Sequence, residues 1–425
     1  MLDLKLIREN PNEIEKKLKT KENNISFKAF LNLDEKVRQL QTKLEEIKAK
    51  QNKTSKIIGE KKRLKEDASS LLEEMSSIAK EIETINQSLN EEKEKRDLFS
   101  LNLPNIPNED IPISLDPKDN KCIKTVGQKT SFNFAFKNHL ELNEKLYLFD
   151  FKTSAKISGS SWPMYTNMGA KLEWALINYM LDIQRKNGFT QIIPPLLVKP
   201  ETMLGAAQLP KFESQLFKIH DKDYHLYLIP TAEVALNGIF LDEIIPAEEL
   251  PKKYVSYTPC FRRESGGAGK QERGLIRTHQ FNKIELFSYT LPENSDIMFD
   301  EMVSSAEEVL NGLELHYRNM LLVTGDMSFA SAKTVDIEVW LPGQDRYMEV
   351  SSISNCTDFQ ARRSKIRYRK GTDKPQFVHT LNGSGVATSR LMVALLENNQ
   401  REDGSVKLPK ALQPYLGGIN EIKPL

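Results

Sequence analysis

Two heptad stretches near the N-terminus constrain this chain more than any other feature. From Phe30 apolar residues recur at Leu33, Val37, Leu40, Leu44 and Ile47, and after a polar step the seam continues through Thr54 to Ile58. The rhythm resumes at Ala68, Leu71, Met75, Ile78, Ile82, Ile85 and Leu89, with Lys, Glu, Gln and Ser on most outer positions. Alternating steps of three and four place one apolar seam on each of two helices. Gly59 to Arg63 is expected to lie between them, with Asp67 capping the second helix by accepting a backbone hydrogen bond. So short a connection folds the helices back antiparallel, and about thirty residues at 1.5 Å each make an arm of roughly 45–50 Å. Such an arm has too little core to be a globular domain.

The arm's charge is uneven. Residues 43–65 hold nine basic side chains (Lys43, Lys48, Lys50, Lys53, Lys56, Lys61, Lys62, Arg63 and Lys65) against Glu45, Glu46 and Glu60. Two readings stay open for this basic outer half: a solvated coiled-coil surface, or an arm that tracks phosphates. The whole chain gives no such signal, since 60 Lys+Arg against 59 Asp+Glu over 425 residues leave a net charge of +1. Any nucleic-acid role must therefore rest on how charge is distributed.

No run of eighteen apolar residues is present to span a bilayer. The segment from Met1 to Thr20 is helical in pattern but carries Asp3, Glu9, Glu13 and Glu15. Transit peptides are poor in acids and signal peptides need an apolar block, so a cytoplasmic chain is expected. Cys122, Cys260 and Cys356 are odd in number and far apart, which argues for neither a disulfide framework nor a zinc site.

Residues 101–120 carry four prolines, several Asn and Asp, and no helical period, and read as a linker. The expected division is an arm with its linker over 1–110 and a second domain over 111–425. There the texture changes. Leu172, Leu176, Tyr179, Met180 and Ile183 form a helical stripe ended by Gly188, residues 190–197 read as extended, and 335–341 alternate as a half-buried strand. Strand-rich stretches without regular βαβ alternation argue for an α+β fold with an antiparallel sheet.

Four constellations could carry chemistry. YVSYTPCFRRE and LIRTHQFNKIELFSYT read as two strands joined by SGGAGKQERG, a loop too long for a tight hairpin and expected to be functional. Arg277, His279, Phe281, Lys283 and Glu285 share a parity, as do Arg262 and Glu264. Cations and carboxylates on one face suit a polyanionic, amine-bearing ligand, or else a solvent-exposed face with ion pairs. In Glu349-Val350-Ser351-Ser352 a carboxylate and a hydroxyl offer hard oxygen ligands for Mg²⁺ shared with phosphates. In a regular strand Glu349 and Ser352 face opposite ways, so joint ligation requires a bulge or a strand end.

In the third constellation strand-like residues run into Gly383-Ser384-Gly385 before a helix with Arg390 in its early turns. This is either a close backbone approach to an anion or a structural helix entry. It has neither the Gly-Lys-Ser/Thr of a P-loop nor the spacing of a dinucleotide fingerprint. The fourth, Pro230-Thr231-Ala232-Glu233, reads alone as a cap, with Thr231 at the N-cap and Glu233 in the first turn.

In this order the pieces resemble the class II aminoacyl-tRNA synthetases, and within them the seryl-tRNA synthetase family of bacterial type, over essentially the whole chain. The helix ending at Gly188 with Pro195 following resembles the first class II motif, Phe261-Arg262-Arg263-Glu264 the second, and Gly383-Ser384-Gly385 through Arg390 the third. The basic hairpin, LPKFE, PTAE, FRRE, GLIRTHQF and HTLNGSG complete the likeness. Gly205-Ala206-Ala207 departs from it where many relatives have a second glycine.

The resemblance implies an enzyme, a ligase forming a carbon–oxygen bond. It would activate L-serine with ATP and Mg²⁺ as seryl adenylate and pass it to tRNA(Ser), with tRNA(Sec) as a conceivable further substrate. It implies a homodimer and an arm that holds the long variable stem of the tRNA, with Lys61, Lys62 and Arg63 as candidates near the tip. Arg262, Glu285 and Arg390 would be catalytic. Thr231, Ala232, Glu233, Glu285 and Ser384 would bind serine. For ATP, Arg262 would hold the α-phosphate, Glu264 the adenine amino group, Phe281 the base and Arg390 the γ-phosphate, with Arg263 beside them. Glu349, Val350, Ser351 and Ser352 would line the nucleotide, and Glu349 and Ser352 would hold Mg²⁺. The rival readings are a paralogue loading an amino acid onto a carrier protein and a non-catalytic RNA-binding regulator. The long arm counts against the first, and the presence of Arg262, Glu285 and Arg390 against the second.

Overall fold

The computed structural model describes residues 1–264 and 273–425, so the glycine-rich loop singled out above falls largely outside the described residues. Two units divide the chain, Leu2–Leu103 and Pro104–Leu425, with Met1 counted in the second.

In the first unit α1 (Leu4–Glu9) and α2 (Pro11–Lys19) precede α3 (Lys28–Arg63) and α4 (Ser69–Leu101). The heptad prediction holds residue by residue: Phe30, Val37, Leu44, Thr54, Ile58, Ile78, Ile85 and Leu89 are buried, and Leu40, Ile47 and Ile82 pack against them. Ion pairs Lys36–Glu92 (3.0 Å), Lys43–Glu81 (3.5 Å) and Lys50–Glu74 (2.7 Å) climb one helix as they descend the other, which marks the pairing as antiparallel. The lysine ends of these pairs are exposed to water, which screens them, so the pairs add little and the seam carries the stability. At the base, buried Asp34 accepts from Arg8 through both carboxylate oxygens (2.7 Å each), from Arg38 (3.2 Å) and from Arg96 (3.5 Å).

The turn sits later than predicted. Gly59 to Arg63 continue α3, because an exposed glycine weakens a helix by only about 1 kcal/mol and the seam runs on to Ile58. The chain reverses over residues 64–68 instead, with Lys65 in the left-handed region (φ 57°). Asp67 does accept from the Ser69 backbone N–H (3.0 Å), and Lys61, Lys62 and Arg63 occupy the last turn of α3. Cations there also complement the negative end of the helix.

The second unit is built on an eight-stranded sheet. Its strands are β1 (Lys121–Val126), β2 (Thr190–Gln191), β3 (Lys252–Phe261), β4 (Gln280–Thr290), β5 (Tyr317–Leu321), β6 (Lys333–Leu341), β7 (Arg346–Asn355) and β8 (His379–Ala387). In space they run β1-β5-β6-β7-β8-β4-β3-β2. Every pairing is antiparallel except the two-residue β2, which lies parallel to β3. The apolar core packs this sheet against α5 (Asn167–Lys186), α7 (Ser295–Gly312) and α8 (Thr388–Asn398). The stripe on α5 ends as predicted: Gly188 takes φ 82°, its N–H bonds to Arg185 O (3.1 Å) and Phe189 N–H to Gln184 O (3.1 Å), a Schellman closure.

The predicted linker is only partly free. From Pro104 onward it belongs to the second unit, where Asn105 donates to the carbonyls of Ala330 and Cys356 (2.9 Å each) and Ile111 is buried. Residues 104–110, grouped with the arm on composition, therefore pack with the sheet domain.

Two bulges shape the sheet where function was expected. Register shifts between Glu349 and Ser351 in β7, and between Ser384 and Ala387 in β8. Bulges re-aim side chains, and these supply the irregularity that joint use of Glu349 and Ser352 requires.

Candidate active site

A cavity of about 540 Å³ is lined by residues of β4, β7 and β8 together with Thr231, Glu233 and Arg262, and a smaller one of about 100 Å³ adjoins it. Arg262, Glu264, Arg277, Lys283, Glu349 and Ser384 line both, so the two form one site.

At one end lies a buried polar cluster. Thr231 caps the short helix α6 (Ala232–Asn237): its Oγ1 accepts from the Glu233 N–H (3.2 Å) and donates to Glu285 Oε2 (2.8 Å). The predicted cap is thus real and also points a hydroxyl into the site. Glu285, 1% exposed, pairs with the Lys283 ammonium. Glu233 accepts from Gln360 Nε2 (2.6 Å) and Asn382 Nδ2 (3.1 Å), and Thr380 Oγ1 in turn donates to Gln360 Oε1 (2.7 Å). Burial, and then the nearby Glu285 carboxylate, push Glu233 up to about 7. A cationic ligand would offset that cost, so this end suits a small molecule bearing an ammonium and a hydroxyl.

The other end is made for anions. Arg262, just beyond the end of β3, donates to Pro230 O (3.3 Å), and its guanidinium lies 5.2 Å from the Phe281 ring centroid. Glu264 is held by Arg277 (2.5 Å) in a left-handed backbone conformation (φ 44°). Arg390, in the first turn of α8, donates to Glu349 O (2.8 Å) and Oε2 (3.2 Å) and to Ile276 O (3.4 Å). Arg262 and Arg390, 128 positions apart in the chain, line the same small cavity together with Phe281.

Glu349 and Ser352 both face the larger cavity, and Asp336 stands opposite Ser352 in the next strand. Asp336 Oδ1 is buried with no partner among the described residues. Burial, and then the Glu349 charge, push its carboxyl well up. Hard oxygen donors fit Mg²⁺, which Glu349, once released from Arg390, and Ser352 would hold.

Several expectations change. The charged face is not a solvent-exposed ladder of ion pairs, for Lys283 and Glu285 are buried. Arg277 and His279 precede β4: Arg277 reaches the site from a turn rather than by strand parity, and His279 lines neither cavity. The glycines of Gly383-Ser384-Gly385 do not mark a close backbone approach to an anion: a Cβ on Gly383 would meet Ile353 Cγ1 at 2.9 Å and one on Gly385 would meet Ile284 Cγ2 at 3.0 Å. They are small so that neighbouring strands can pack, and β8 runs through both to Ala387. Ala232 is wholly buried in an apolar cluster beneath the site, and Ser351 faces inward, bonding to Ser384 O. Arg263 does not line either cavity and anchors a loop through its N–H to Gln215 O (3.1 Å). Sequence reasoning overlooked Asn382, Gln360 and Asp336. Asn382 shares strand parity with Ser384 and could have been found that way, whereas nothing local marks Gln360.

The family model for the seryl-tRNA synthetase N-terminal domain matches residues 1–107, and that for the tRNA synthetase class II core domain (G, H, P, S and T) matches residues 215–399. A serine–tRNA ligase of Chlamydia felis is 52% identical over 98% of this chain and 98% of its own, and one of Chlamydia pneumoniae 50% identical over 100% and 99%. The chain belongs to the seryl-tRNA synthetase family. Among solved members, the Pyrococcus horikoshii seryl-tRNA synthetase complexed with ATP superposes with a TM-score of 0.92 at 38% identity, covering 100% of both chains. The Naegleria fowleri cytoplasmic enzyme in complex with AMP gives 0.87 at 31%, covering 100% of this chain and 99% of that one. The buried acidic end and the guanidinium end are thus read within a seryl-tRNA synthetase frame.

Proposed function

We infer that this chain joins serine to tRNA(Ser) at the expense of ATP, working in the cytoplasm as a homodimer. The serine carboxylate attacks the α-phosphorus of ATP, the bond to the β-phosphate breaks and pyrophosphate leaves. A ribose hydroxyl at the tRNA 3′ end then attacks the carbonyl carbon and AMP departs. The observation that carries this reading is the convergence of Arg262 and Arg390 on a small cavity that adjoins the larger one lined by the Thr231–Glu233–Glu285 cluster.

No protein nucleophile is needed, so the residues work by positioning and by neutralising charge. Arg262 is suited to span the serine carboxylate and the α-phosphate, lowering the repulsion between two anions that must react. Phe281 offers a ring for the adenine and Glu264 an acceptor for its amino group. Arg390 would turn toward the γ-phosphate from its present hold on Glu349. Glu349 and Ser352 would hold Mg²⁺, which would supply further neutralisation of phosphate charge. Glu233 and Glu285 would take the serine ammonium and hydroxyl beside Ser384. Alanine, lacking the hydroxyl, would leave a buried carboxylate unpaired, which is how polar substrates are selected strongly. In the arm, Lys61, Lys62 and Arg63 would contact the backbone of an extra RNA stem, which offers shape and phosphates more than readable bases.

Amino-acid-dependent exchange of pyrophosphate into ATP, run with each of the twenty amino acids, tests the reading. Serine should stimulate exchange; stimulation by another amino acid and not by serine would refute it.

A further inference from the structure

One buried acid of the sheet domain has no part in the function inferred above. Glu173, on α5, is 4% exposed, and its hydrogen-bond partners are neutral side chains. Asn282 Nδ2 donates to its Oε1 (2.8 Å), and the Thr388 hydroxyl bonds to the same oxygen. Oε2 is buried with no partner among the described residues. Burying an acid among neutral groups works against stability, and an apolar side chain of similar volume would serve packing at least as well. Packing alone therefore does not account for the carboxyl.

Its partners account for it. Asn282 lies in β4 between Phe281 and Lys283, and strand alternation turns those two into the small cavity and Asn282 toward Glu173. The Tyr257 hydroxyl holds the other end of the Asn282 carboxamide, donating to Oδ1 (3.3 Å). Thr388 opens α8 two residues before Arg390, and its hydroxyl also lies 3.0 Å from Asn282 O. That hydroxyl has one proton and two acceptors in reach, so a protonated Glu173 completes a chain of bonds by donating to Thr388 while Thr388 donates to Asn282 O. None of Glu173, Asn282 and Thr388 lines either cavity. We propose that Glu173 is the positioning residue of the nucleotide end: by binding Asn282 and Thr388 together it fixes the strand that presents Phe281 against the helix that presents Arg390, and so sets the distance between the adenine and γ-phosphate contacts. The proposal rests on the function inferred above and adds to it a residue that touches no substrate.

Serine-dependent pyrophosphate exchange by the full-length enzyme, with ATP and serine varied in turn, tests this role. Glu173→Leu fills the space but makes neither bond. It should raise the ATP KM roughly tenfold or more and leave the serine KM within about twofold, because a small misplacement of a binding group can cost up to about 10²-fold. The serine end is held by separate bonds, Thr231 to Glu285 and Gln360 to Glu233. Glu173→Gln, which carries a donor and an acceptor as the protonated acid does, should restore most of the ATP KM. Thr388→Val removes one of the two bonds and should shift the ATP KM in the same direction by less. Both KM values rising in step, both unchanged, or Glu173→Gln as impaired as Glu173→Leu would overturn the assignment. Should Glu173→Leu fail to fold, Thr388→Val decides through the same ratio of ATP to serine KM. A wild type without serine-dependent exchange would instead strike the underlying function, so the two failures are distinct.

Discussion

The arm and the sheet domain treat their acidic residues in opposite ways. In the arm, Glu92 sits between Lys36 and Lys95, whose hydrogen bonds hold its carboxyl below the usual range, and Asp67 is lowered by its bonds to Ser69. At the centre of the sheet domain burial dominates. It pushes Glu173 and Glu233 up to about 7 and Asp336 well up. Acids at a helix rim contribute modestly to a scaffold. Acids kept buried at a cost to stability are typical of a site that awaits a ligand, and here two of the three line or adjoin the cavity.

The sharpest way to break this contrast is to remove the cation that the cavity holds ready. Arg262→Ala should lower serine-dependent pyrophosphate exchange by roughly 10²–10³-fold, the range for one preorganised charge-stabilising group. Near-native circular dichroism should accompany the loss. Exchange within tenfold of wild type would mean that the guanidinium is a structural prop.

Next in size is the pH dependence, which should differ in sign between the regions. A raised carboxyl binds more protons folded than unfolded, so the sheet domain loses stability as pH rises from about 4.5 to about 7, by up to about 3 kcal/mol for Glu173. The arm's lowered carboxyls do the reverse: their contribution is present above the unfolded value and disappears as pH falls through the folded one. All three tryptophans, Trp162, Trp174 and Trp340, lie in the sheet domain, so urea unfolding followed by fluorescence isolates it. Glu173→Gln should flatten the decline between pH 5 and pH 8. An unchanged slope in that variant would rule out Glu173 as its source.

The smallest effect should come from the arm tip. Replacing Lys61, Lys62 and Arg63 by alanine should raise the tRNA KM severalfold and reduce the salt dependence of tRNA binding by about 2–3 in log–log slope, roughly one per lost phosphate contact. An unaltered salt slope would make the tip a solvated surface, the bland reading that composition left open.

The two regions were also unequally legible. Each arm helix is a repeat whose partners lie three and four residues away, so burial at Val37, Leu44, Ile85 and Leu89 could be read from spacing alone. The only error there was the end of α3, where local signals compete weakly. In the sheet domain, spacing located β6 and the stripe on α5 and demanded a bulge near Glu349, and family likeness supplied the roles. It did not show that Ala232, Ser351 and Arg263 point away from the cavity. Nor did it show that the glycines of β8 serve strand packing, because orientation at bulges and turns is set by neighbours far along the chain.

What the amino-acid order determined by itself was the periodic part: a basic antiparallel hairpin, an α+β remainder and the identity of the charged side chains. Only the tertiary structure decided that Thr231, Arg262, Glu285, Glu349 and Arg390 share one site of two adjoining cavities. The physical reason is that a heptad seam is a local interaction repeated, whereas this site is the meeting of distant strands, and its geometry exists only once their pairing and bulges are in place.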